Sequence, residues 1–315
     1  MSLILNSPAR LHLGFLDLNK NKRRNFGSLG LAVTKFENIV RVKESDKLRV
    51  IGKNSEKVLK IVNLLNKKYT FKPCEIEIIK TIPEHCGLGS GTQLALSIGK
   101  VLSIISKKKA PTNDIASITN RGKRSGIGIQ SFKTGGFIVD GGKINELYTP
   151  PTIFKSKWPV NWKIILIFDD SFKGLYGKKE KEEFENILDI SNKVTNENCY
   201  NLVMKIMPGL IEKNFKLFCS GINTIQHNTS KMFFKSQGGK YSSKNIELLF
   251  QSLQKIGNLA CGQSSWGPTG FIFCENKIEQ QKFLSSMNKT IKYYNMKRIT
   301  LVNVEGRNNG FFTQS

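Results

Sequence analysis

No stretch of this 315-residue sequence is long and apolar enough to cross a bilayer as a helix. The longest unbroken apolar run is Ile164–Phe168, against the roughly twenty residues that a membrane helix needs. The start, MSLILNSPAR, lacks a basic flank and an extended apolar core, so no secretory leader is expected. The six cysteines form no CxxC pair and do not cluster with the three histidines. That excludes an obvious zinc site or disulfide framework and suggests reduced thiols in a cytoplasmic protein. Acidic residues are scarce, 24 against 49 Lys and Arg, leaving a net charge of +25. The excess fits a solvated basic surface or attraction to polyanions, including a small phosphorylated substrate. No arginine-rich tail, zinc-finger spacing or RNP-like aromatic motif accompanies it, so no specific nucleic-acid partner is expected. Repeats and low-complexity tracts are also missing.

What is present reads as mixed α and β. Residues 3–18 are apolar but broken by Pro8 and Gly14, which suggests a strand and a turn. Val58, Ile61, Val62 and Leu65 repeat at helical spacing, and Ile76 and Ile78 alternate as in a strand. Leu94, Ile98, Val101 and Ile105 form the stripe of a helix over about 92–106. Residues 148–160 carry three of the nine prolines, which places a domain boundary near Pro151: an N-terminal half 1–151 and a C-terminal half 152–315. Strands and helices mix in both halves without strict βαβ alternation, so the expected class is α+β.

Three segments carry the chemistry. The first is HCGLGSGTQ, residues 85–93, between a strand and a helix. Gly87, Gly89 and Gly91 let the backbone approach a ligand closely, Ser90 and Thr92 offer hydroxyls, and the following helix presents unpaired amides to an anion. It is neither a Walker A loop nor GxGxxG. A tight strand-to-helix turn is the plain alternative. The second is RGKRSGIGIQ, where Arg121, Lys123 and Arg124 alternate with glycines, suited to phosphate contacts but also to an exposed basic turn. The third, GQSSWGPTG at 262–270, could close a site from the other half. Cys86 has no neighbouring base, so a nucleophilic role is disfavoured. His85 and His227 read as structural.

Together, SPARLHLGFLD, PEHCGLGSGTQ and GQSSWGPTGF resemble, in this order, the motifs of the GHMP kinase superfamily, over nearly the whole chain. GLGSGTQLAL, RGKRSGIGIQ, GGFIVDGG and SSWGPT look like the versions found in its decarboxylating pentosyltransferase branch. The resemblance implies a GHMP-kinase-like fold of two α+β halves with the active-site cleft between them, and a homodimer. It also implies a reaction: phosphoribosyl pyrophosphate condenses with para-aminobenzoate or para-hydroxybenzoate, with loss of carbon dioxide and pyrophosphate, in methanopterin biosynthesis, with Mg²⁺ assisting. The implied catalytic residues are Arg124, Lys123 and Arg10. The implied substrate contacts are His12, Asp17, Gly87, Leu88, Gly89, Ser90, Gly91, Thr92, Gln93, Arg121, Ser125, Gly126, Ser264 and Ser265. No metal ligand can be named, and His12 could equally be a packed strand residue.

One departure bears on the reaction. Many GHMP kinases have SGID in the middle segment, and the Asp assists phosphoryl transfer; here Ser125-Gly126-Ile127-Gly128 puts a glycine there. A kinase would need another carboxylate, with Asp17, Asp140 and Glu183 as candidates. A decarboxylating condensation removes no ring proton and tolerates the glycine. An ATP-dependent small-molecule kinase is the alternative.

Overall fold

The computed structural model describes residues 2–19, 24–145, 149–171, 191–253, 256–265 and 267–314. The first sheet is built on two long antiparallel strands, β1 (Ser2–Asp17) and β2 (Phe26–Glu44). β1 runs straight through Pro8 and Gly14, where a strand and a turn were expected. Both interruptions fall at register shifts, between Pro8 and Ala9 and between His12 and Gly14, which is how a strand absorbs residues that break its ladder.

β3 (Arg49–Gly52), helix α1 (Ser55–Tyr69) and β4 (Cys74–Lys80) follow, with β3 and β4 parallel. Helices α2 (Ser90–Ile105), α3 (Thr112–Ile118) and α4 (Ile127–Thr134) cover one sheet face. α4 occupies a stretch whose glycines read as a loop. β5 (Phe137–Asp140) pairs with β2 and with β6 (Thr152–Ser156). The final strand, β11 (Phe312–Gln314), returns to β1. The division expected at residue 151 is thus crossed by two strands, β6 and β11, which belong to the first sheet.

The second sheet runs β10-β7-β9-β8, all antiparallel: β7 (Lys163–Asp169), β8 (Ala260–Gln263), β9 (Gly270–Cys274) and β10 (Ile299–Val304). Its helices are α5 (Asn192–Asn201), α6 (Met207–Ile211), α7 (Phe215–Gln237), α8 (Lys244–Leu253) and α9 (Lys277–Tyr293), with a π turn at Leu202–Ile206. Pro208 and Gly209 fall within α6, and the chain turns into α7 soon after it.

Strand periodicity decides where the core sits. In β7, Ile164 and Leu166 face a core shared with the first sheet, while Ile165 and Ile167 face α8 and α9. In β1, Leu3 and Leu5 face the α1–α3 helices, yet Ala9, Leu11 and Leu13 join the shared core. The bulge at Pro8/Ala9 has flipped the odd-numbered residues from one face to the other. Arg10 and His12 are thereby turned toward the helix face, under the start of α2.

Candidate active site

The glycine-rich loop bridges the end of β4 and α2. Leu88 is buried in the shared core, and its carbonyl accepts from Arg10 N at 3.1 Å, so the loop docks on β1 as a short extra rung. Gly87 (φ 72°) and Gly89 (φ 81°) flank it in left-handed conformations. A Cβ on Gly87 would lie 2.3 Å from the Ser264 carbonyl oxygen, too close for any side chain.

α2 begins without a side-chain cap and without an acidic residue in its first turn. Its positive end is left for an incoming anion. Two guanidinium groups stand beside it. Arg10 donates to Gly87 O at 2.6 Å and lies 3.1–3.2 Å from where a Gly89 Cβ would be. Arg121 packs 3.1–3.3 Å from the corresponding point on Gly91. Both guanidinium groups and the positive end of the helix carry the sign that attracts an anion. Such a cradle has the chemistry to take up a polyanion.

The segment from the second half closes over it. Ser264 Oγ accepts from His12 N at 3.0 Å and donates to Gly87 O at 2.7 Å. Ser265 N donates to His12 O at 3.2 Å, and Thr269 Oγ1 donates to Cys86 O at 2.5 Å. Ser264 acts here as a staple between β1 and the loop, its hydroxyl already committed to both. Thr269 was not singled out from the sequence; the small hydroxyl residue inside GPTG was its signal.

The other expected residues have separate duties. Gln93 is buried and donates to Gly128 O at 2.7 Å, tying α2 to α4. Thr92 packs on Gly128, whose Cβ would fall 3.1 Å from Thr92 Cγ2. A carboxylate at 128 would therefore crowd Thr92. Ser125 and Gly126 belong to a knot around buried Asp140, which accepts from Ser125 Oγ (3.1 Å), Ser28 Oγ (2.5 Å), Gly126 N (2.9 Å) and Gly142 N (3.0 Å). Burial pushes the Asp140 carboxyl up, opposed by those four donors. With its oxygens so occupied, Asp140 is a brace and not a base. Asp17, buried near the far end of β1, accepts from Asn19 N and Thr195 Oγ1 at 2.8 and 3.1 Å and so joins β1 to α5. Lys123 and Arg124 lie on the turn between α3 and α4, Lys123 exposed and Arg124 half-buried. Glu183 lies outside the described residues.

The Cys86 thiol is pushed up by burial and by Asp170, so it stays protonated and unsuited to attack. His12 is buried, and its pKa is lowered to about 3 by burial first and by Arg10 second, so its ring is neutral. Among the described residues no three His, Cys, Asp or Glu side chains come together to hold a metal. The donors that do converge, guanidinium groups and helix-end amides, suit phosphate oxygens. A pocket of about 450 Å³ lined by His227, Lys240 and Tyr241 contains none of the expected site residues. No helix among the described residues is long and apolar enough to cross a membrane.

A glycine loop leading into an uncapped helix, clasped by a second α+β half, defines a protein of the GHMP kinase fold. The models for the GHMP kinases N-terminal and C-terminal domains match residues 56–136 and 206–292. Solved structures agree on the fold: Streptococcus pneumoniae phosphomevalonate kinase superposes with TM-score 0.71 at 10% identity, covering 98% of this chain and all of that one. Cytophaga hutchinsonii homoserine kinase does so with TM-score 0.63 at 17% identity, over 99% and 97%. The curated relatives are more specific. The beta-ribofuranosylphenol 5'-phosphate synthase of Methanocaldococcus jannaschii is 32% identical over 308 residues, 89% of this chain and 92% of that one. That of Archaeoglobus fulgidus is 30% identical over 288 residues, 87% and 88%. The chain belongs to this synthase family within the GHMP kinase superfamily, whose enzymes commonly use Mg²⁺.

Proposed function

We propose that the protein condenses phosphoribosyl pyrophosphate with para-hydroxybenzoate, releasing pyrophosphate and carbon dioxide and forming a ribofuranosylphenol 5'-phosphate for methanopterin biosynthesis. The observation that supports this reading is the cradle of Arg10, Arg121 and the α2 amides, beside a position 128 that holds glycine and no carboxylate. The phenol in the relatives' names favours para-hydroxybenzoate over para-aminobenzoate as acceptor.

In this reading the diphosphate lies on the α2 N-terminus, with Arg10, Arg121, Lys123 and Arg124 as its cations. As the ribose–oxygen bond breaks, negative charge grows on the leaving group, and fixed amides and guanidinium groups stabilise it without having to reorganise. The oxocarbenium-like sugar is then attacked by the ring carbon bearing the carboxylate. Loss of carbon dioxide restores aromaticity, so no base for a ring proton is required. Mg²⁺, where bound, would supply countercharge to the diphosphate beside Arg10 and Arg121, and the chain acts as a homodimer.

The test is release of labelled carbon dioxide from carboxyl-labelled para-hydroxybenzoate and para-aminobenzoate with phosphoribosyl pyrophosphate and Mg²⁺, alongside ATP alone. Release that needs the sugar donor supports the synthase. Its absence, with ATP consumed on a small alcohol, supports the kinase alternative on the same fold.

A further inference from the structure

The diphosphate cradle uses Arg10 and Arg121 but leaves His12 without a task. Its ring is 4% exposed, and neither Nδ1 nor Nε2 has a hydrogen-bond partner. An imidazole is both donor and acceptor, and leaving it dry and unpaired is costly. The residue is not loosely placed, because its backbone is pinned on both sides by Ser264 and Ser265. It shares a face of β1 with Arg10, two residues back. Its ring packs on Phe15, with centroids 4.5 Å apart and planes at 49°. Phe15 in turn meets Phe26 and Phe233, each at 6.3 Å. A polar ring with unused hydrogen-bonding capacity thus stands between a polyanion cradle and an aromatic wall.

We propose that His12 recognises the para-hydroxyl of the aromatic acceptor and relays that proton during the condensation, an inference that rests on the function proposed above. The acceptor ring lies against Phe15, and its hydroxyl donates to the imidazole nitrogen that carries no proton. The Ser264–Ser265 turn, held to β1 by two hydrogen bonds, fixes the backbone that presents the imidazole. The ribose C1–O bond breaks, its electron pair leaving with the diphosphate, and the carboxylate-bearing carbon then bonds to the electron-poor C1. The hydroxyl becomes a carbonyl, and its proton passes to His12. When the carbon–carboxylate bond breaks, its electrons restore the ring, the carbonyl takes the proton back, and carbon dioxide departs. The cycle consumes no proton and needs no co-reactant. A weak base suffices, since the hydroxyl of the cationic intermediate is a far stronger acid than a phenol.

The full-length protein with His12→Phe and His12→Gln tests this. Phenylalanine fills the space and has no buried polar atoms to satisfy; glutamine accepts a hydrogen bond but cannot carry the proton. Two readouts are compared with wild type: donor-dependent carbon dioxide release, and equilibrium binding of para-hydroxybenzoate against benzoate in the presence of pyrophosphate. His12→Phe is expected to lower turnover about 100-fold with the KM for the sugar donor within about twofold. Its preference for para-hydroxybenzoate over benzoate, about tenfold in wild type, should fall to about one. His12→Gln is expected to keep the preference and lose the turnover. Wild-type turnover in either variant, or an intact preference in His12→Phe, overturns the proposal. If His12→Phe does not fold, His12→Gln decides alone. A wild-type protein that releases no carbon dioxide counts against the proposed function instead.

Discussion

Acidification should destabilise this protein in part through His12, and the size of that part follows from burial. An unfolded histidine titrates near 6.5, whereas His12 in the folded chain is held at about 3, chiefly by desolvation and secondarily by Arg10. Between those values the unfolded chain binds a proton that the folded chain refuses, so stability falls as pH drops through 6.5 and levels off only near 3. Each unit costs about 1.4 kcal/mol, so moving from pH 7 to pH 5 should remove about 2 kcal/mol. His12→Phe has nothing to protonate and should lack that part of the loss. Urea unfolding of wild type and variant at pH 7 and pH 5, followed by far-UV circular dichroism, measures the difference. Equal losses in the two proteins would mean that the folded imidazole accepts protons as freely as the unfolded one, and the account of a dry, neutral ring would be wrong.

Other perturbations follow from the same geometry. Gly87→Ala combines a left-handed backbone with a Cβ 2.3 Å from Ser264 O; it should cost about 2–3 kcal/mol of stability, read as a lower urea midpoint, and abolish turnover. Arg121→Ala and Arg124→Ala should each weaken phosphoribosyl pyrophosphate binding by one to two orders of magnitude, since charged hydrogen bonds contribute about 1.5–3 kcal/mol; calorimetric titration reads this directly. Asp140→Ala strands four donors and should cost about 3 kcal/mol or more with little direct effect on donor affinity in the protein that remains folded. At Asp169, burial raises the carboxyl but is outweighed by Ser171, Ser243 and Asn245, leaving it below the usual range. Its contribution is present above the ordinary carboxylate range and lost as pH falls through the lowered value, so Asp169→Asn should flatten the acid limb of the stability profile.

Much of the fold was legible because periodic burial writes itself into sequence. The stripe Val58, Ile61, Val62, Leu65 marks α1, and Ile164–Phe168 marks β7, buried on both faces. What was missed involves residues whose role depends on distant partners. The glycines of 126–128 argue locally for a loop, yet α4 forms there, its Gly128 packed on Thr92 and its start tied to Asp140. β6 follows two prolines and survives as a strand because β5 supplies its partner. Pro8 and Gly14 look like breaks, but a bulged strand carries both. In the site, the glycine loop and its nearby arginine could be found from composition. The commitment of Ser264 to stapling, and of Ser125 to Asp140, could not, because a serine's hydroxyl looks the same whether it faces a ligand or a carbonyl.

The staple made by Ser264, Ser265 and Thr269 gives the enzyme a built-in dependence on its own assembly. The glycine-rich loop and the strand bearing His12 are held in position by hydrogen bonds that originate more than 170 residues away. Neither half carries a finished site alone. Synthesis of the chain produces the loop long before it produces Ser264, Ser265 and Thr269, so turnover should begin only once these three have docked. Catalytic competence therefore reports on the contact between the halves, and activity should fade at lower denaturant concentrations than helix content does.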